Sequence, residues 1–64
     1  MLSDNVRRIR KDRGLSQDRL AKLSDITVTT LVKIESGANQ NPKMKTLQGI
    51  ARALEVTLDD LVNE

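Results

Sequence analysis

The sequence predicts an all-α fold of five short helices, and three of its features carry that prediction. Apolar residues recur three and four apart, most clearly in Leu47, Ile50, Ala51 and Leu54. Hydroxyl residues open successive segments, as in Ser16-Gln17-Asp18 and Thr57-Leu58-Asp59-Asp60. Gly14 and Gly37 stand where helices would stop, since glycine fits the left-handed position after a last turn. At 64 residues the chain makes one domain, 1–64. A chain of this size buries only about 60% of its unfolded surface, so its stability margin is thin.

The first helix is expected over 3–13, with Ser3 as cap and Asp4 favourable in the first turn. Val6 and Ile9 face inward, Gly14 ends the helix, and Leu15 packs beyond it. The second runs over 17–23, opened by Ser16, with Leu20, Ala21 and Leu23 on one side. The third runs over 28–35, opened by Thr27, with Leu31 and Ile34 inward and a stop at Ser36-Gly37. A polar connection from Gly37 to Lys43 leads past Pro42 into the fourth helix, 44–54. The fifth, 58–62, opens at Thr57 with an acid three residues on, close to a capping box. Leu58, Leu61 and Val62 are its inward candidates.

One segment pulls the other way. Ile26 to Thr30 is five consecutive β-branched residues, which local propensity assigns to a strand. No second strand-like run exists to pair with it, and an isolated strand is not stable. The Leu31/Ile34 spacing and the Gly37 stop are also helical. This helix must therefore depend on tertiary packing.

Residues 16 to 37 hold two helices of about eight residues joined by a three- to four-residue turn, the helix-turn-helix arrangement. In that arrangement the second helix enters the DNA major groove. Charge points the same way. Residues 1–45 carry ten Lys/Arg against five Asp/Glu, or +5; residues 46–64 carry one against four, or −3. The basic part is the part with the two-helix pattern, which favours a polyanionic partner there. The plainer account is that Arg7, Arg8, Arg10, Lys11 and Arg13 only solvate a helix.

Composition removes other functions. There is no cysteine and no histidine, hence no disulfide framework, no thiolate metal site and no imidazole acid or base. No metal site and no cofactor is expected. No Phe, Tyr or Trp exists to stack on single-stranded bases. Carboxylates, lysines and hydroxyls remain, but none are paired at a catalytic spacing, so no catalytic residues are assigned. No apolar run approaches the ~20 residues of a membrane span and no signal-peptide pattern opens the chain, so no membrane partner and a cytoplasmic location are expected.

The chain resembles the repressor and Cro proteins of lambdoid phages and their bacterial kin, the Cro/repressor-type (XRE) regulators. The carriers are Arg10, Gly14-Leu15-Ser16-Gln17, Leu20-Ala21, Ile26-Thr27 and Leu31-Val32-Lys33-Ile34-Glu35-Ser36-Gly37. Pro42, Thr46-Leu47, Ile50-Ala51-Arg52-Ala53-Leu54 and Val56-Thr57-Leu58-Asp59-Asp60-Leu61 continue it. The resemblance spans nearly the whole chain. It implies a compact five-helix repressor-like domain with the helix-turn-helix at helices two and three, binding a two-fold symmetric operator as a dimer. There are departures. Asp25 stands where the family has glycine in the turn, and Asp tolerates the left-handed region less well. Gly49 sits inside helix four, at roughly 0.5–1 kcal/mol relative to Ala. The loop before Pro42 is one residue longer than the commonest family spacing.

Candidate contacts follow. The first turn of a recognition helix meets base edges, here Thr27, Val28, Thr29 and Thr30, with Lys33 a turn further. Threonine methyls and Val28 suit thymine C5-methyls, and Lys33 suits guanine O6 and N7. Thr27 and Thr30 have a purely structural alternative as cap and support. Gln17 resembles the family's phosphate-clamping or base-contacting glutamine and, as an expected phosphate contact, also offers a backbone N–H at a helix start. Asn39, Asn41 and Lys43 are expected phosphate contacts, with a solvated turn as their alternative. Arg10 and Glu35 match family positions that pair as a partly buried structural ion pair.

The expected function is sequence-specific double-stranded DNA binding by a repressor-like transcriptional regulator. An antitoxin or restriction-modification controller using the same domain is an alternative. A protein-interaction module without DNA binding is another. Self-association is expected on DNA, through Val56–Leu61 and the loop after Gly37, and a monomer without it.

Overall fold

The computed structural model describes residues 1–63 of the chain. They form α1 (Leu2–Asp12), α2 (Gln17–Ser24), α3 (Val28–Ser36), α4 (Met44–Leu54) and α5 (Leu58–Val62), with no strand among the described residues. Every helix end lies within one residue of its expected position. The β-branched run resolves into a cap and a first turn. Thr27 is extended, and its hydroxyl accepts the Thr30 N–H at 3.1 Å. Tertiary burial then holds the weak helix formers, because Leu31 and Ile34 are fully enclosed.

Three of the four connections repeat one backbone device. At Gly14, Asp25 and Glu55 the chain turns left-handed, with φ of 70°, 60° and 59°. Each of these N–H groups returns to a carbonyl three residues back, at 3.0–3.2 Å. The next N–H returns five back: Leu15 to Arg10, Ile26 to Ala21, Val56 to Ala51, at 3.0–3.1 Å. These double bonds close helix ends in the Schellman pattern. The apolar residue that follows packs on the core in all three, and the residue after it (Ser16, Thr27, Thr57) caps the next helix. Asp25 thus takes the left-handed conformation that glycine would hold more easily.

Val6, Ile9, Leu20, Ala21, Leu31, Ile34, Ile50, Ala51, Leu54 and Leu61 form one core. Helix α2 packs on α4, α3 on α1 and on α2, and the short α5 on α1 and α4. The buried Asn5 secures α5. Its Nδ2 donates to the Leu61 carbonyl at 2.9 Å and the Asn63 carbonyl at 2.6 Å. The Thr57–Asp60 capping box closes the other end of α5.

Four expectations need correction. Ser3 does not cap α1: the helix begins at Leu2, with Met1 at the cap position, so Ser3 lies inside the first turn. Leu23 is exposed and Ser24 is buried in its place. Val62 is exposed, and Leu61 alone of α5 is fully inside. Gly49 is not a mere loss of helix propensity. A Cβ there would stand 2.7 Å from the Ser24 carbonyl oxygen. Its missing side chain lets α4 approach the last turn of α2, and this contact encloses Ser24. The Ser24 hydroxyl is enclosed with no hydrogen-bond partner, at a typical penalty of about 1–3 kcal/mol.

Candidate nucleic-acid interface

Helix α3 is held at both ends. At its start, the Thr27 hydroxyl accepts from the Thr30 N–H and donates to the Thr30 hydroxyl at 2.9 Å. At its end, Gly37 turns left-handed and the Asn39 N–H reaches the Lys33 carbonyl at 2.9 Å. Arg7 of α1 adds a cation there, its Nη1 donating to the Glu35 carbonyl at 2.8 Å. A cation at a helix C-terminus is favourable, since unpaired carbonyls gather there. The sequence gives Arg7 no distinguishing mark, because its partner lies 28 residues away.

A three-residue network braces the helix from below. Arg10 Nε donates to Glu35 Oε2 at 2.7 Å, and Arg10 Nη2 to Oε1 at 3.1 Å. Arg10 also donates to the Leu15 carbonyl at 2.8 Å. Gln17 Nε2 donates to Glu35 Oε1 at 3.1 Å. The network thus joins α1, the start of α2 and the end of α3. The Gln17 side chain, expected to reach outward to phosphate, is turned to Glu35 instead. What Gln17 offers outward is the backbone N–H of a helix start.

The outer face of α3 carries Val28, Thr29, Val32, Lys33 and Ser36, all exposed. Thr30 is half-buried and shares its hydroxyl with Thr27. Val32 was not among the expected contacts, although its place four residues after Val28 puts both on one face. Among the described residues, neither Lys33 nor Lys43 has a side-chain hydrogen bond or ion pair. Both cations remain free to meet an external anion.

The loop after α3 is only partly outward. Asn39 is half-buried, and its Oδ1 accepts the Asn41 N–H at 3.0 Å. Asn39 and Asn41 line a groove of about 320 Å³ with Leu2, Leu47 and Val62. Asn41 and Lys43 are exposed, Lys43 being the cap residue of α4. Among the described residues, no group of three or more acids suits a metal ion. No helix there is long and apolar enough to cross a membrane.

Comparison with known proteins places this geometry. Residues 6–61 match the helix-turn-helix family model. The chain is 28% identical over its full 64 residues to the HTH-type transcriptional regulator SinR of Bacillus licheniformis, covering 58% of that protein. It is 36% identical over 61 residues to SlrR of Bacillus subtilis, covering 95% of this chain and 40% of that one. It therefore spans about half the length of these curated relatives. Among solved structures, SinR in complex with DNA superposes with a TM-score of 0.94 at 25% identity, covering 98% of this chain and all of that one. The restriction-modification controller C.AhdI of Aeromonas hydrophila superposes with a TM-score of 0.89 at 28% identity, covering 94% and 89%.

Proposed function

The chain belongs to the helix-turn-helix family, and on that premise we propose that it binds double-stranded DNA sequence-specifically as a transcriptional regulator. The observation that carries this is α3 itself. It is fixed at both ends and braced by Arg10–Glu35–Gln17, and its outer face, with Val28, Thr29, Val32 and Lys33, is exposed. Similarity to regulators, and to a SinR structure containing DNA, supports the same reading.

In this reading α3 lies in the major groove. Val28, Thr29 and Lys33 meet base edges, with Thr27 and Thr30 shaping the first turn. The Gln17 backbone, Asn39, Asn41 and Lys43 contact phosphates. The protein acts as a two-fold pair on its operator, in the cytoplasm, without catalysis and without a cofactor. A second reading has one observation of its own. The chain covers 89% of the restriction-modification controller's solved chain, against 58% of the full-length SinR sequence. A controller of that kind would use the same contacts.

Selection from random duplex DNA tests the proposal. One recovered sequence with two related halves, bound with a steep salt dependence, is the expected result. No enrichment and no salt-dependent binding would leave a protein-interaction module as the better account.

A further inference from the structure

The outer face of α3 is unusually poor in the groups that normally read bases. Residues 27 to 36 contain no Arg, Asn or Gln. Those are the side chains that grip guanine or adenine edges with two hydrogen bonds. Several polar groups that remain are already engaged. The Thr27 and Thr30 hydroxyls bond each other. The Ser36 hydroxyl donates to the Lys33 carbonyl at 3.2 Å and accepts from the Ala38 N–H at 3.3 Å. Among the described residues, only the Thr29 hydroxyl and the Lys33 ammonium of this face are uncommitted.

What the face does present is apolar. Val28 is 38% exposed and Val32 is 41% exposed. A single exposed valine needs no explanation. These two stand four residues apart, hence one above the other on the same side of the helix. Their shared exposure places that side at the surface of the fold. Thr29, next to Val28 in the chain, is exposed as well. Lys33 borders the strip and supplies charge attraction to a polyanion.

A B-form major groove offers one apolar group to such a strip, the C5-methyl of thymine. Spacing agrees. Four residues advance about 6 Å along a helix, and successive bases rise about 3.4 Å. We infer that Val28 and Val32 each pack on a thymine methyl, one or two base steps apart. Val32 is then a second specificity residue, and the ligand class is a duplex whose half-site carries paired thymines. This rests on the DNA-binding reading of the same helix.

The test uses the full chain and a duplex it selects from random DNA. Each thymine is replaced in turn by deoxyuridine, which keeps pairing and the O4 acceptor and lacks only the methyl. Two thymines, one or two steps apart, should each show about a fourfold loss of affinity, the worth of one buried methyl-sized group. Val32→Ala should abolish the response at one of them and preserve it at the other. Val28→Ala should do the reverse. Both side chains are exposed, so both variants should melt like wild type. Selective binding that ignores every deoxyuridine overturns the inference and leaves the DNA-binding reading intact. So does a deoxyuridine pattern that Val32→Ala does not change. Failure of the wild type to bind any duplex in a salt-dependent way overturns both.

Discussion

Arg10 and Glu35, 25 residues apart in sequence, are joined by two hydrogen bonds of 2.7 and 3.1 Å, with side chains 11% and 4% exposed. This enclosed pair links α1 to the last turn of α3. Charges taken this far from water are tolerated only while matched. Glu35→Gln would leave the Arg10 guanidinium unmatched and weaken the bond from Gln17. A destabilisation of up to about 3–5 kcal/mol is expected, read as a lower urea midpoint. An unchanged midpoint would show that the pair contributes nothing.

Gly49→Ala tests the α2–α4 contact. Helix propensity alone predicts a gain of about 0.5–1 kcal/mol. The new Cβ, however, would stand 2.7 Å from the Ser24 carbonyl oxygen, which is backbone and cannot swing away. Overpacking typically costs about 1–3 kcal/mol, so a net loss should appear in thermal unfolding. A higher melting temperature would mean that the helices separate freely.

Asp25→Gly and Glu55→Gly should both stabilise. Each position has a positive φ that L-residues adopt at about 1–2 kcal/mol. Against this stands the extra freedom of glycine in the unfolded chain, about 0.4–1 kcal/mol. Glu55→Gly should gain more, since Asp tolerates the left-handed region better than Glu. Calorimetry of both variants checks the order, and a loss at Glu55 would contradict it.

Lys43→Ala should weaken binding to all duplexes alike and lower the salt slope by roughly 1, as for a phosphate contact. Val28→Ala should instead shrink discrimination at one base pair, by up to about 1–3 kcal/mol. Titrations against selected and scrambled duplexes at several salt concentrations separate the two. A change of base preference in Lys43→Ala would invert these roles.

Acid should loosen α5 from its start. The backbone N–H of Thr57, with the Thr57 side chain second, holds the Asp60 carboxyl below its ordinary value of 3.8. A depressed folded value means that its contribution is complete above the unfolded pKa. It is lost as pH falls through the lower folded value. Amide exchange in residues 58–62 should quicken across that window, and Asp60→Asn should lack the step. Exchange that follows the same pH course in both proteins would remove Asp60 from the account.

The helices were legible because their signals are local. Ser16, Thr27 and Thr57 announce starts, and Gly14 and Gly37 announce stops, all within a turn of the event. The errors fall where distant chain decides. Ser24 is inside and Leu23 outside because Gly49, far along the sequence, admits α2 there. Val62 fits the apolar pattern of α5, but a helix of five residues has room for one fully enclosed side chain. Arg7 and Asn5 reach partners 28 and 56 residues on, and nothing in their neighbourhood marks them. The expected side of α3 faces outward, and Val32 shares it one turn beyond the first-turn residues, where its apolar side chain carries no base-contact signature of its own.

The thrice-repeated turn bears on how quickly the molecule assembles. Each copy closes through bonds spanning three and five residues, so none of the three turns needs more than a short chain search. Helical chains dominated by such near contacts fold in microseconds to milliseconds. Against that background the links from Arg10 to Glu35 and from Asn5 to Leu61 are the slow encounters. Temperature-jump relaxation should therefore find the Glu35→Gln and Asn5→Ala variants losing stability chiefly through faster unfolding, with folding rates near wild type. The signals that make the helices readable residue by residue would then also be the ones the chain itself uses first.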